Sequence, residues 1–136
     1  MPRFLTSRTE RGALLVAAVL LGAIGFLPQF GGPGYESALA GGLILPSIAA
    51  IATALLVARR QLPTPFDALG RGVSLGSVLA LAGAGIATLH GVRTGFCDAP
   101  LGYELWATGP GPGAALGGAW GAGAGLLALR FGRARL

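Results

Sequence analysis

The chain has no lysine, one cysteine, one histidine and five acidic residues among 136. With Cys97 alone, no intrachain disulfide forms and no thiolate cage for a metal is available. His90 is the only histidine, so chemistry that needs an imidazole has this one alone. Charged residues make up 11% of the chain and hydrophobic ones 53%, so polar side chains are too few to cover a soluble globule. Glycine fills much of the remainder, with 25 residues, and the mean hydropathy is +0.70.

What is present is four long apolar stretches, residues 8–27, 38–58, 73–92 and 113–129. Each approaches the roughly 20 residues a helix needs to cross a hydrocarbon core about 30 Å thick. They predict an all-α, four-helix transmembrane bundle in which residues 1–136 form a single polytopic membrane domain. The arginines fall on alternate connections. Arg3, Arg8 and Arg11 stand before or at the start of the first stretch, Arg59, Arg60 and Arg71 lie between the second and third, and Arg130, Arg133 and Arg135 follow the fourth. Only Arg93 falls on the other side, with Glu36, Asp98 and Glu104. The positive-inside rule therefore predicts both termini in the cytoplasm. The net charge of +5 has the same origin. No basic motif with interleaved aromatics suggests nucleic acid, and contact with anionic headgroups follows as a side effect.

The amino terminus imitates a secretory signal, with a basic start, an apolar run and a small-residue site at Ala38-Leu39-Ala40. Ten residues, Pro28 to Ser37, separate that site from the run, so the first stretch is read as a retained span. Ser7-Arg8-Thr9-Glu10 fits a capping box at its start, and Pro28 is expected to end it. Gly31-Gly32-Pro33-Gly34 reads as a turn and Ser37 as the next N-cap. Thr64-Pro65-Phe66-Asp67 starts the third helix on the cytoplasmic side, before the membrane. In the long outer connection, Asp98-Ala99-Pro100 caps a short segment that would hold Leu101, Tyr103, Leu105 and Trp106 at headgroup depth, until Gly109-Pro110-Gly111-Pro112 breaks it.

Gly113, Gly117, Gly121 and Gly125 recur every four residues, flanked by Ala115, Gly118, Ala119, Ala122 and Gly123. This stripe is a glycine zipper, a face on which another helix backbone can approach closely. Two packings stay open: against the chain's own helices, or against a second copy in a homo-oligomer or larger membrane complex. Trp120 is a bulky landmark among the small residues. The stripe is no phosphate-binding loop, because no strand precedes it and no Gly-Lys-Ser/Thr follows. Pro46 removes a backbone bond inside the second stretch and is expected to kink it.

Chemistry is sparse. The polar side chains counted within the stretches are Ser47, Thr53, Ser74, Ser77, Thr88 and His90, with no acid or permanent charge to serve an ion-coupled transporter. His90, Arg93, Cys97, Asp98 and Glu104 are near in sequence and are candidates for a small polar site at the outer face, though their spacing fits no standard metal pattern. Gly72-Val73-Ser74-Leu75-Gly76 matches the Gly-x-Ser-x-Gly nucleophile signature. The sole histidine lies about 24 Å further along the same helix, too far to activate Ser74 within one chain. Neither a catalytic residue nor a cofactor is assigned.

The run Gly95-Phe96-Cys97-Asp98-Ala99-Pro100-Leu101-Gly102, with Trp106, Gly109-Pro110-Gly111-Pro112-Gly113 and Gly117-Gly118-Ala119-Trp120-Gly121, resembles the amino-terminal membrane portion of long, functionally uncharacterised multi-pass proteins of high-GC bacteria. The resemblance covers the second half of the chain. It implies a place in the inner (cytoplasmic) membrane of a bacterium, with further membrane helices, and in some members a peptidase-like domain, beyond Leu136. The sequence thus leads to a membrane-anchoring or assembly module packed through small-residue helix faces. A transporter or channel subunit using the Pro46 helix and the glycine face is the alternative, and an outer-face enzyme acting through His90 the third reading.

Overall fold

Helix α1 begins where the sequence offers the most complete local signal. The Ser7 hydroxyl accepts from the Glu10 amide at 3.1 Å, and the Glu10 carboxylate accepts from the Ser7 amide at 3.1 Å, closing the capping box. In the computed structural model, which describes residues 7–59, 64–96 and 98–133, α1 spans Arg8–Ile24. A 3-10 turn, Pro28–Phe30, leads to α2 at Tyr35–Ala58. Helix α3 spans Pro65–Thr94, α4 Ala99–Thr108 and α5 Pro110–Arg133. The described residues are all helical, without a strand.

Several boundaries differ from the sequence reading for identifiable reasons. Helix α1 stops at Ile24, not Leu27, as the Gly25 amide turns back to the Ala23 and Leu21 carbonyls; Pro28 opens the 3-10 turn. Gly34 is the N-cap of α2, and Ser37 sits one turn in, its hydroxyl accepting from the Gly34 amide at 2.9 Å. Gly109 alone separates α4 from α5, and Pro110 and Pro112 belong to the first turn of α5, where a missing amide proton leaves nothing unsatisfied. Thr64 caps α3 through the Asp67 amide at 3.1 Å, so this helix starts well ahead of its apolar stretch, as the sequence led us to expect. Helices α2 and α3 are long and apolar enough to cross a membrane, with mean hydropathies of 2.1 and 1.7 over their best windows.

Helices α2 and α3 form a central pair, with α1 and α5 each packed against both. The core between them is small: Ala13, Ala17, Ala49, Ala80 and Ala114 surround Leu45 and Leu79, the largest side chains that are completely buried. Glycine sets the spacing to α5. A Cβ at Gly117 would lie 2.4 Å from the Pro46 carbonyl oxygen, and one at Gly121 2.1 Å from that of Ala50. Gly113 and Gly125 continue the same line toward Pro46 and Val57. On the other flank, a Cβ at Gly118 would lie 1.9 Å from the Gly72 carbonyl oxygen, and one at Gly76 2.0 Å from that of Ala114. Side chains cannot occupy such gaps, so both neighbours meet α5 backbone to backbone. Helix α2 runs through Pro46 without interruption.

Two glycines of α5 separate this packing from helix propensity. Gly118→Ala is expected to destabilise the fold by about 3 kcal/mol, since the clash is with backbone that cannot rotate away. Gly123, with nothing within 4 Å of an added Cβ, should accept alanine with a change within about 1 kcal/mol, in the stabilising direction. Thermal unfolding of the two variants in detergent checks the contrast.

Candidate functional site

Helix α3 carries two arginines, Arg71 and Arg93, about 33 Å apart along its axis at 1.5 Å per residue. Each holds one end of α1. At the first, the Arg71 Nε donates to Glu10 Oε1, and the Glu10 side chain is only 3% exposed. The count of no acid within the apolar stretches is therefore corrected: Glu10 lies inside the first, buried by its partner on α3. Sequence reasoning saw Glu10 as a cap and Arg71 as a topological charge. Nothing local joins two residues so far apart in the chain.

At the second end, Arg93 Nη2 donates to the Gly25 carbonyl at 3.0 Å and stands 3.3 Å from His90 Nδ1. Its guanidinium lies 4.6 Å from the centre of the Phe26 ring, which meets the His90 ring edge-on at 5.1 Å. The last turn of α1 has no basic residue of its own. Arg93 supplies from α3 the cation that the carbonyl end of a helix favours. His90 packs against Gly25 so closely that a Cβ there would lie 2.2 Å from the imidazole, and Thr94 donates to the Gly31 and His90 carbonyls.

The four outer-face candidates among the described residues do not converge. His90 and Arg93 are joined around the end of α1, whereas the Asp98 carboxylate accepts from the Leu101 amide at 3.1 Å as the N-cap of α4. Glu104 is exposed on α4, and Cys97 lies outside the described residues. A groove of about 390 Å³ at this end takes in Asp98 and Glu36 but not His90, Arg93 or Glu104. Among the described residues no group of three His, Cys, Asp or Glu is placed to hold a metal ion.

Helix α4 also departs from expectation. Trp106 is 4% exposed and does not lie on the surface; its indole nitrogen donates to the Ser37 hydroxyl at 3.2 Å. Gly41 and Gly83 make the slot, with a Cβ at Gly41 falling 2.8 Å from the indole. Leu101 and Tyr103 stay exposed. The α4 helix thus inserts Trp106 between α2 and α3, a use the sequence concealed because the two slot-forming glycines lie on different helices.

The remaining hydroxyls are turned to the backbone. Ser47, Ser74, Ser77 and Thr88 each donate to the carbonyl four residues earlier, at 2.8–2.9 Å. For Ser74 that carbonyl belongs to Gly70, and the glycines of its apparent nucleophile motif, Gly72 and Gly76, are the contact points for α5. The motif is therefore a packing element. Among the described residues, the Thr53 hydroxyl alone is buried with no hydrogen-bond partner.

Comparison with protein-family models, with curated proteins and with solved structures finds no match. The polar chemistry seen here fastens helices to one another.

The Glu10–Arg71 pair has a characteristic signature in double-mutant analysis. Arg71→Met alone, which leaves a buried carboxylate without its cation, should destabilise the protein by about 3 kcal/mol or more. Adding Glu10→Gln should recover much of that loss, giving a favourable coupling in a cycle measured by thermal unfolding.

Proposed function

We propose that this chain is a four-span membrane module of the bacterial cytoplasmic membrane, crossing with α1, α2, α3 and α5 and keeping both termini inside. Its role is anchoring or assembly, not catalysis. One observation carries the reading: the size distribution is inverted relative to a water-soluble bundle. Alanine and glycine are inside, while Leu43 (68%), Leu81 (75%), Leu89 (71%) and Trp120 (78%) point outward. Hydrocarbon tolerates such a surface, and small residues are what membrane helices use to pack.

Charge spacing supports the same reading. Helix α2 has no charged side chain between Glu36 and Arg59, a stretch of about 35 Å, close to the thickness of a bilayer core. Arg71 and Arg93 bracket α3 in the same way. Helix α1, at 17 residues, covers only about 26 Å. The exposed Phe26 and Leu27 extend its apolar surface beyond the helix. A transport path between the Pro46 helix and the glycine face is disfavoured, because Pro46 and Gly117 are in backbone contact and leave no lumen to line.

Two measurements test this. In a Cys97→Ser background, Glu104→Cys should react with an impermeant maleimide in intact spheroplasts, whereas Phe66→Cys should react only after permeabilisation; the reverse pattern refutes the orientation. Vesicles containing the purified protein should leak protons, potassium and small sugars no faster than empty vesicles. Flux above that background, abolished by altering Pro46, would favour transport instead.

A further inference from the structure

The ion pair with Arg71 holds the first turns of α1 against α3, and on the opposite side, although α1 and α2 touch, a gap stays open between them beside Gly12. Gly12 has no side chain there, and an added Cβ would meet nothing within 4 Å. The result is a groove of about 440 Å³ between the two helices. Its walls are apolar, with Val16 from α1 and Ile48, Ile51 and Leu55 from α2, and its one polar end is formed by Arg8, Thr9 and Arg59. Arg59 Nη1 donates to Thr9 Oγ1 at 3.1 Å, which holds its guanidinium across the mouth toward α1.

The dimensions and the charge select an occupant. From Arg8 to Val16 the groove runs about 12 Å along α1, and from Arg59 to Ile48 about 16 Å along α2. That is about half of a 30 Å hydrocarbon core, the depth of a single leaflet. An apolar slot one leaflet deep, ending in two guanidinium groups at its polar end, matches an acyl chain topped by a phosphate. Guanidinium pairs with a lipid phosphate through two parallel hydrogen bonds, and two arginines at one mouth favour a net-anionic headgroup over one whose choline cation cancels the phosphate charge. An extended peptide would need backbone hydrogen-bond partners that these walls do not offer, and a helix, which satisfies its own, leaves the two guanidinium groups without an anion.

We propose that the α1–α2 groove binds one anionic phospholipid of the arginine-side leaflet, its chain along Gly12 and Ile51 and its phosphate between Arg8 and Arg59. The site rests on the membrane-spanning reading above. The lipid fills the gap the α1–α3 ion pair leaves open, so it acts as a wedge completing the α1–α2 contact.

The test is native mass spectrometry of the full chain, released from vesicles holding equal amounts of phosphatidylglycerol and phosphatidylcholine with identical chains. The protein should retain one phosphatidylglycerol in preference to phosphatidylcholine. Arg8→Gln/Arg59→Gln should lower that retention about 30-fold, two charges each contributing roughly fivefold at an anionic surface. Gly12→Leu, which places a side chain into open space within the groove, should reduce retention with both arginines intact. Equal retention of the two lipids, or unchanged retention in the double arginine variant, overturns the site. Flotation of the chain with the vesicles is measured first. A chain that fails to float refutes the spanning reading and the site with it, while one that floats without selective lipid refutes the site alone.

Discussion

The structure depends on how closely α5 approaches its neighbours. Carbonyl oxygens of Pro46 and Ala50 on α2, and of Gly72 on α3, occupy the space where Cβ atoms of Gly117, Gly121 and Gly118 would otherwise be. In a chain with few polar groups, contact over this backbone surface is what holds α5 in place, through many small dispersion terms. Because α5 takes both flanks of the α2–α3 pair so tightly, large side chains are pushed outward. The exposed leucines and Trp120 are thus a consequence of the glycine packing as much as of the surroundings.

Polar interactions act at the ends of α1, which does not share the backbone-to-backbone glycine contacts of α5. Arg71 and Arg93 fasten it to α3 through Glu10 and the Gly25 carbonyl respectively. Between them, Ala13, Ala17 and Leu21 supply the apolar contact. Both of these fastenings are to α3, and the α1–α2 groove is the gap left beside Gly12 on the other side. Trp106 performs a comparable service where α4 joins the bundle, filling with one side chain the slot left by Gly41 and Gly83.

Much of this was legible in the sequence wherever the signal is local. The capping box of Ser7 and Glu10, the Thr64 cap, the Asp98 cap and the all-helical class follow from short-range spacing and from apolar runs. The four-residue glycine period was visible, though not which helix it meets. Illegible were the features that need two distant residues at once: the Glu10–Arg71 pair, the Arg93 contact with the end of α1, and the indole of Trp106 on Ser37. Of the candidates His90, Arg93, Cys97, Asp98 and Glu104, the first two meet around the end of α1 while Asp98 caps α4. Nearness in sequence across a helix end does not bring side chains to a common point.

The backbone contact of α5 with α3 is tested most directly by solid-state NMR of the isotopically labelled chain in bilayers. Contacts between the backbones of Gly72 and Gly118 should be seen, and should persist when labelled protein is diluted into an excess of unlabelled protein, because they form within one chain. Their absence, or their disappearance on dilution, would contradict the account; in the second case the glycine face would be joining separate copies.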